Sequence, residues 1–195
     1  MKPSRIVVAS QNPDKVREVE SVIAFVAPWV EIVRGLEWPE VEETEATLQG
    51  NALLKARAVV KATGIAALAD DTGLEVRALG GAPGVRTARF AGPEATYQDN
   101  VSRLLNVLAG HDDRAATFRT AVALVDEEGS VVTVEGRLEG RIAETPRGDG
   151  GFGYDPVFEV DGRTLAEISE EEKNHMSHRA RALRVLAEEV WGAGR

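Results

Sequence analysis

Apolar runs and segments of helical periodicity alternate along the first part of the chain. Residues 6–9 form a continuous apolar run, typical of a strand covered on both faces, and residues 30–33 predict a second, short strand. Between them, Asn12 is a candidate N-cap, and Pro13 suits the first position of a helix. The apolar residues of that predicted helix are Val16, Val19, Val22, Ile23 and Val26.

The pattern of helix and buried strand occurs again between residues 48 and 73. Residues 37–47 are acidic and irregular, and the helix that follows them is expected to end near Gly64. Residues 65–69 then predict a buried strand that ends at the polar cluster 70–73. We therefore expect polar residues at the carboxyl ends of two buried strands, where α/β proteins bind ligands. The apolar residues of this helix are Leu48, Ala52, Leu53, Ala56, Val59 and Val60.

The second half of the chain predicts a hairpin, a glycine-rich stretch and a final helix. Residues 117–125 and 130–138 are β-rich runs joined by residues 126–129, and a second, antiparallel lobe is expected to begin there. The pattern indicates an α/β protein, with two lobes in a single domain over residues 1–195. Two helices are predicted here, one from Val101, Leu104, Leu105 and Leu108 and the last from Ala182, Leu183, Leu186 and Val190.

Composition narrows the classes of function that fit this pattern. A chain of 195 residues suits one domain, and a formal net charge of -9 disfavours binding to a nucleic acid backbone. The absence of cysteine excludes disulfides, thiolate nucleophiles and iron–sulfur clusters. The apolar run at residues 6–9 is too short for a signal peptide, and no run approaches the roughly 20 apolar residues of a membrane span. We expect a cytoplasmic protein that binds neither nucleic acid nor membranes.

The segment from residue 10 to residue 15, Ser-Gln-Asn-Pro-Asp-Lys, lies between the first predicted strand and the first predicted helix. The N–H groups and the dipole at a helix N-terminus favour an anion, and Lys15 adds a positive charge, so a phosphate group fits here. Simple capping by Asn12 explains the same residues. The chain contains no Gly-x-x-x-x-Gly-Lys-Ser/Thr sequence, which excludes a P-loop ATPase.

The acidic pairs at residues 42–43 and 70–71 are candidates for a metal site. Their oxygen ligands suit Mg²⁺, which takes one or two carboxylates together with waters and substrate phosphates. Either pair alone is also typical of a solvated turn or a charged loop. Combined with Lys15 and Lys55, which can neutralise phosphate oxygens, the pairs favour phosphoryl or nucleotidyl chemistry on a triphosphate.

A further candidate is the glycine-rich run at residues 148–156. Three of its glycines match the spacing Gly-x-Gly-x-x-Gly, but Pro156 follows and no helix is predicted there, which excludes a Rossmann site. Glycines on both sides of Phe152 suit an aromatic ring that stacks against a planar base. A tight turn with a buried Phe152 is the alternative.

Several motifs occur together in one order along the chain, at residues 10–15, at residue 43 with 51–56, and at 69–74, 80–84, 151–156, 172–173 and 177–179. Together they resemble the inosine triphosphate pyrophosphatase family, over the whole chain. Members of that family hydrolyse non-standard purine nucleoside triphosphates (ITP, dITP, XTP) to the monophosphate and pyrophosphate. The resemblance implies an elongated, two-lobed α/β fold around a long central mixed β-sheet flanked by helices, with the active-site cleft between the lobes, and a homodimer.

The resemblance also implies roles for individual residues. Asp71 is implied as the general base and, with Glu43, as a ligand of Mg²⁺; Lys15 and Lys55 are implied to stabilise charge on the phosphate oxygens. Asp70 is expected to shape the site or to bind a second ion. The implied substrate-binding residues are Ser10, Gln11, Asn12, Pro13, Asp14, Lys15, Thr72, Phe152, Gly153, Tyr154, Asp155, Lys173, His178 and Arg179.

Specificity for the base is expected to depend on hydrogen-bond donors. Lys173, His178 and Arg179 are implied to lie around the edge of a base that contacts Phe152. Hypoxanthine and xanthine have an oxygen at C6, whereas adenine has an amino group there. Donors such as His178 and Arg179 therefore favour the first two bases and leave the amino group of adenine without an acceptor.

Other functions fit parts of the pattern. A pyrophosphatase of related fold that acts on another nucleotide, such as a modified pyrimidine triphosphate, would use the same carboxylates. A nucleotide-binding regulator needs affinity for phosphate but no water-activating carboxylate, so Glu43 and Asp71 argue against it. A purely structural protein gives no reason for acidic pairs and lysines to meet at strand ends.

Overall fold

The computed structural model describes residues 2–192, and within them the strands form one 8-stranded mixed sheet. The strand order is β2-β1-β3-β5-β6-β7-β8, and β4 pairs with β3. β1 is parallel to β2 and β3, whereas β7 is antiparallel to β6 and β8, which confirms the predicted mixed sheet. The strands are β1 (Arg5–Val8), β2 (Glu31–Ile32), β3 (Ala67–Val76), β4 (Pro83–Gly84), β5 (Ala115–Val125), β6 (Val131–Ile142), β7 (Phe158–Val160) and β8 (Arg163–Thr164).

Helices flank this sheet, so the predicted α/β class is confirmed. Over residues 2–192, the α-helices are α1 (Pro13–Val26), α2 (Leu48–Thr63), α3 (Tyr97–Val107), α4 (Glu170–Met176) and α5 (His178–Trp191). None of these described helices combines the length and the apolar character needed to cross a lipid bilayer.

β1 and the start of β3 are covered on both faces, as the continuous apolar runs predict. Successive side chains of a strand point to opposite faces of the sheet. Ile6 and Val8 pack in one apolar cluster with residues of α1 and α5, whereas Val7 packs in another with residues of α2. Leu68 and Ala69 of β3 are divided between the same two clusters. Helices on both faces therefore bury these strands and fix the positions of the residues that follow them.

The ends of the first two helices follow their local sequence signals. Asn12 caps α1: its Oδ1 accepts hydrogen bonds from the backbone N–H groups of Asp14 at 2.9 Å and Lys15 at 3.3 Å. α2 ends at Gly64, whose φ of 69° lies in the left-handed region that glycine adopts without steric cost. Both predicted boundaries are confirmed.

The prediction that the third strand ends before Asp70 is wrong. β3 continues to Val76, so Asp70, Asp71 and Thr72 lie within the strand. Pairing with β4 at Leu74 supplies sheet hydrogen bonds beyond the polar cluster. Charged residues are compatible with a buried strand when opposite charges and hydrogen-bond partners lie beside them, as they do here.

β5 and β6 form the predicted hairpin, whose turn has a hydrogen bond from the N–H of Asp126 to the carbonyl of Ser130 at 3.1 Å. Farther along β6, a Cβ at Gly136 would overlap the carbonyl oxygen of His178 and the backbone nitrogen of Ala182. A glycine at this position therefore allows the first turn of α5 to lie directly against the sheet. This close approach places the side chains at the beginning of α5.

The described residues form two compact units. The first takes residues 2–71, 120–136 and 178–192, and the second takes residues 72–119 and 137–177. The expectation that a second lobe begins at the hairpin is wrong, because the second unit already begins at Thr72 and the turn of the hairpin belongs to the first. The difference arises because β3, β5 and β6 each contribute residues to both units.

Candidate active site

Asp71, in the first unit, has its carboxylate held from two sides. Oδ2 accepts a hydrogen bond from Nδ2 of Asn51 at 3.2 Å, and Oδ1 lies 3.5 Å from Nζ of Lys55. Burial raises the pKa of Asp71 above its ordinary value; the positive charges of Lys55 and Lys15 oppose this shift, and the negative charge of Glu43 adds to it. A buried carboxylate with a raised pKa is suited to accept a proton from water.

Lys55 of α2 joins this carboxylate to Glu43, which lies in the irregular segment before α2. The Nζ atom of Lys55 is 2.8 Å from Oε1 of Glu43. Burial acts to lower the pKa of Lys55, but the charges of Asp71, Asp70 and Glu43 outweigh it, so the pKa is above its ordinary value. The raised pKa favours the ammonium form of Lys55, which can bind a phosphate oxygen.

Asp70 is enclosed by positive charges. Its Oδ2 accepts hydrogen bonds from Nε and Nη2 of Arg179 at 3.2 and 3.0 Å and lies 3.6 Å from Nζ of Lys15. Burial acts to raise the pKa of Asp70, but the charges of Lys15, Arg179 and Lys55 outweigh it and hold the pKa well below its usual range. Arg179 also forms an ion pair with Glu18. Asp70 is therefore an ionised anchor for Lys15 and Arg179 at neutral pH and is not suited to accept a proton there.

The segment of residues 10–15 caps α1, and the capping interpretation is confirmed. The backbone N–H groups of Asp14 and Lys15 bind the side chain of Asn12, and Oγ of Ser10 accepts from the N–H of Asn12 at 3.2 Å. While this cap is formed, the N–H groups of Asp14 and Lys15 are not open to a phosphate group. Gln11 is exposed like the neighbouring proline, Pro13. The substrate-binding roles of these residues stay predictions.

In the second unit, a cluster forms around Phe152. Oδ2 of Asp155 accepts hydrogen bonds from the N–H of Phe152 at 2.9 Å and from Nζ of Lys173 at 2.5 Å. The same Nζ lies 5.1 Å from the centroid of the Phe152 ring. The ring centroids of Tyr97 and Phe152 are 5.8 Å apart. The backbone forms the predicted turn, but Phe152 is only partly buried, unlike the buried ring of the alternative interpretation.

The remaining residues of the predicted base site differ in accessibility. Tyr154 is buried in an apolar cluster, its hydroxyl donates to the carbonyl of Thr87 at 2.9 Å, and burial raises its pKa. The side chain of Tyr154 is thus used for packing. Gly153 has a φ of 64°, which the turn requires. Thr72 is partly buried and follows Asp71 in β3.

His178 and Arg179 lie in the first unit, at the start of α5. His178 is buried, and its Nδ1 lies 2.5 Å from Oγ1 of Thr120. Only 3% of the Arg179 side chain is exposed, and its guanidinium group contacts Asp70 and Glu18. The place of His178 and Arg179 at the edge of a base stays a prediction.

Three residues without an assigned role in the sequence analysis contact these groups. Asn51 contacts Asp71, Glu18 contacts Arg179, and Tyr97 packs on Phe152. For Glu18 a signal was available, because residues three apart on a helix lie on one face and Glu18 is three residues after Lys15. No local pattern joins Tyr97 to a ring that is distant in the sequence.

The chain is similar in sequence and in structure to known proteins over nearly its whole length. The model of the Ham1 family matches residues 6–189. The dITP/XTP pyrophosphatase of Chlorobaculum tepidum is 45% identical, over 95% of this chain and 92% of the relative. The enzyme of the same name from Methylococcus capsulatus is 47% identical, over 94% of each chain.

A solved structure agrees with these sequence matches. The structure of a HAM1 protein from Coxiella burnetii superposes with a TM-score of 0.86 and 40% identity, over 99% of this chain and 100% of that one. The family match confirms the resemblance that the motifs predict. Since the family model and the relatives span nearly the full chain, this protein belongs to the Ham1 family.

Proposed function

We propose that this protein hydrolyses non-standard purine nucleoside triphosphates, namely dITP, XTP and ITP, to the nucleoside monophosphate and pyrophosphate. The names of its relatives, dITP/XTP pyrophosphatases, support this activity. One observation carries the proposal: the ammonium group of Lys55 lies between two carboxylates. Its Nζ is 3.5 Å from Oδ1 of Asp71 and 2.8 Å from Oε1 of Glu43. Removal of such triphosphates would prevent their incorporation into DNA and RNA.

The proposed reaction is an in-line attack of water on the α-phosphorus. Asp71 accepts the proton of the water as the new oxygen–phosphorus bond forms. The bond between the α-phosphorus and the bridging oxygen breaks, and pyrophosphate leaves. Lys15 and Lys55 bind phosphate oxygens and stabilise the charge that develops on them. Asp70 holds Lys15 in place through their ion pair.

The donor set of the site fits a divalent cation. Glu43 and Asp71 both contact the ammonium group of Lys55, so two carboxylates already converge on a positive charge. Throughout residues 2–192, no group of three or more His, Cys, Asp or Glu side chains is placed to hold a metal. Mg²⁺ suits one or two carboxylates with substrate phosphates, so Glu43 and Asp71 would hold it. When bound, it would supply further neutralisation of phosphate charge.

The base is proposed to stack on the partly exposed ring of Phe152. The backbone N–H of Phe152 donates to Asp155, and the ammonium group of Lys173 lies 5.1 Å from the centroid of the Phe152 ring. A fixed aromatic ring binds a purine at a low cost in side-chain entropy. Donors around the base, for which Lys173, His178 and Arg179 are the proposed candidates, would favour a 6-oxo purine over adenine.

Phe152→Ala is expected to raise the KM for dITP by about 5- to 150-fold, because stacking on an aromatic ring contributes about 1–3 kcal/mol per base. The kcat should change little, since the ring contacts no reacting atom. Phe90→Ala is the matched control, because Arg103 lies 5.2 Å from the centroid of that ring. Steady-state kinetics of pyrophosphate release check both variants. An unchanged KM in Phe152→Ala would exclude stacking on this ring.

The proposed function is tested by pyrophosphate release in the presence of Mg²⁺, with ITP, XTP, dITP, ATP, GTP and a modified pyrimidine triphosphate at equal concentration. We expect release from the first three and little from ATP and GTP. Release only from a modified pyrimidine triphosphate would indicate a related pyrophosphatase with another substrate. Absence of release from every triphosphate, together with measurable binding of nucleotide, would favour a regulator and overturn the proposal.

A further inference from the structure

Asn51 is completely buried in α2 and bonds to two segments of the proposed catalytic site. Its Oδ1 accepts a hydrogen bond from the backbone N–H of Glu45 at 2.9 Å, and its Nδ2 donates to Oδ2 of Asp71 at 3.2 Å. Glu45 belongs to the irregular segment that also contains Glu43. One buried carboxamide therefore connects β3 to the segment that supplies the second carboxylate.

The orientation of this carboxamide is determined by its partners. A backbone N–H can only donate, and an ionised carboxylate can only accept. Rotating the amide of Asn51 by half a turn would place its NH₂ against the N–H of Glu45 and its oxygen against Asp71. Both contacts would then be repulsive, so the side chain has one favourable arrangement.

Two consequences follow for the acidic groups. With Oδ2 of Asp71 fixed by Asn51, the other oxygen of the carboxylate faces Lys55, 3.5 Å from its Nζ. The segment with Glu43 is fixed against the start of α2. Its close approach there is also evident at Gly50, where an added Cβ would lie 2.8 Å from Cβ of Glu45.

We propose that Asn51 is a positioning residue for hydrolysis: it orients Asp71 and keeps the segment of Glu43 at a fixed place beside it. This inference rests on the proposed function, in which Asp71 activates water. Asn51 contacts no substrate in this account and acts through Asp71. Groups that orient the ligands or the base of a catalytic site typically change activity by about 10- to 100-fold when they are removed.

Asn51→Ala is expected to lower the kcat for dITP by about 10- to 100-fold, while the KM changes by less than about threefold. Asn51→Asp keeps an oxygen that can accept from Glu45 but places a second oxygen against Asp71. It should therefore lose a similar share of kcat. Binding of dITP in EDTA, measured by equilibrium dialysis, should be retained in both variants.

Hydrogen exchange provides a readout that is independent of turnover. In Asn51→Ala the N–H of Glu45 loses its acceptor, and its exchange should become about tenfold faster than in the wild type. In Asn51→Asp the same N–H keeps its acceptor and should stay protected. The two variants thus separate the bond to Glu45 from the bond to Asp71.

Asn100→Ala is the matched control. Asn100 is a buried helical asparagine in α3 that bridges a loop in the same way: its Oδ1 accepts from the N–H of Ala91 at 2.8 Å, and its Nδ2 donates to the carbonyl of Ala88 at 3.0 Å. Its removal should lower the melting temperature by an amount similar to Asn51→Ala. The kcat of this control should stay within about twofold of the wild type.

The proposal is overturned if both Asn51 variants keep kcat within about threefold, or if Asn100→Ala loses as much kcat as Asn51→Ala. Should Asn51→Ala fail to fold, Asn51→Asp alone decides, because its shape is that of the native residue. Failure of the proposed function has a different outcome, in which the wild type itself releases no pyrophosphate. In that case, unchanged hydrogen exchange at the N–H of Glu45 in a folded Asn51→Ala variant would still overturn the proposal that Asn51 holds the segment of Glu43 in place.

Discussion

Asp71→Asn is expected to lower the kcat for dITP by roughly 100- to 10,000-fold, the range for loss of a general base. Asparagine has the size of aspartate but cannot take the proton of the attacking water. The substitution also removes one of the negative charges that face Lys55, leaving Glu43 at 2.8 Å as its ion-pair partner. Lys55 becomes a less restrained phosphate ligand, so affinity for dITP should be retained.

The measurements are single-turnover release of pyrophosphate and binding of dITP in EDTA, in the wild type and in the variant. Asp126→Asn is a suitable control, because Asp126 is also a buried aspartate, and its Oδ1 accepts from the N–H groups of Glu128 and Ser130 in a turn. This control should keep its turnover. If Asp71→Asn retains kcat within about tenfold, Asp71 is not the base.

The end of β3 illustrates what a single sequence leaves undetermined. Asp-Asp-Thr-Gly has the composition of a turn, and local rules therefore end the strand before it. The strand continues because its carboxylates meet Lys15, Asn51, Lys55 and Arg179, which come from three helices. These partners are remote in the sequence, and neither periodicity nor propensity contains their positions.

Two further elements, α4 and the hairpin of β7 and β8, have only short local patterns in the sequence. Ser169 caps α4, and Glu172 lies three residues later, which is a known pattern at helix starts, but seven residues are too few for helical periodicity. β7 and β8 are joined at Asp161 and Gly162, both with positive φ, and Asp-Gly is a typical hairpin dipeptide. By contrast, the strands and helices with longer apolar patterns, such as β1, α1 and α2, were predictable.

The candidate site was predictable in its residue types more than in its contacts. Chemistry alone selects the acidic pairs at residues 42–43 and 70–71 together with Lys15 and Lys55, and the family resemblance singles out Glu43 and Asp71. In the structure these residues lie in one unit, where Lys55 pairs with Glu43 and Asp71 and Lys15 pairs with Asp70. The capping role of Asn12 was predictable from a local pattern. The contact of Arg179 with Asp70 was not, because it depends on how closely α5 approaches β6.

Asp70→Asn is expected to destabilise the fold by about 3–5 kcal/mol at pH 7, the cost of leaving a buried charge without its partner. The guanidinium of Arg179, of which 3% is exposed, would keep Glu18 and lose the carboxylate that accepts from its Nε and Nη2. Lys15 would lose the same partner. Urea unfolding, with linear extrapolation of the free energy of unfolding, measures the loss.

The pH dependence distinguishes this ion pair from a loss of packing. The pKa of Asp70 is held below its usual range in the folded protein. Its contribution to the free energy of unfolding is therefore complete above the pKa of the unfolded chain, near 3.9, and is lost as the pH falls toward the pKa of the folded protein. The difference in the free energy of unfolding between the wild type and Asp70→Asn should therefore be constant from pH 7 to about pH 5 and shrink toward pH 3.

The matched control is Asp113→Asn. It breaks an exposed ion pair with Arg77 of similar geometry, at 2.6 and 2.9 Å, and should change stability little. A loss in Asp70→Asn no larger than in this control, or a difference that does not change down to pH 3, would contradict the role of Asp70 as a buried anchor for Arg179 and Lys15.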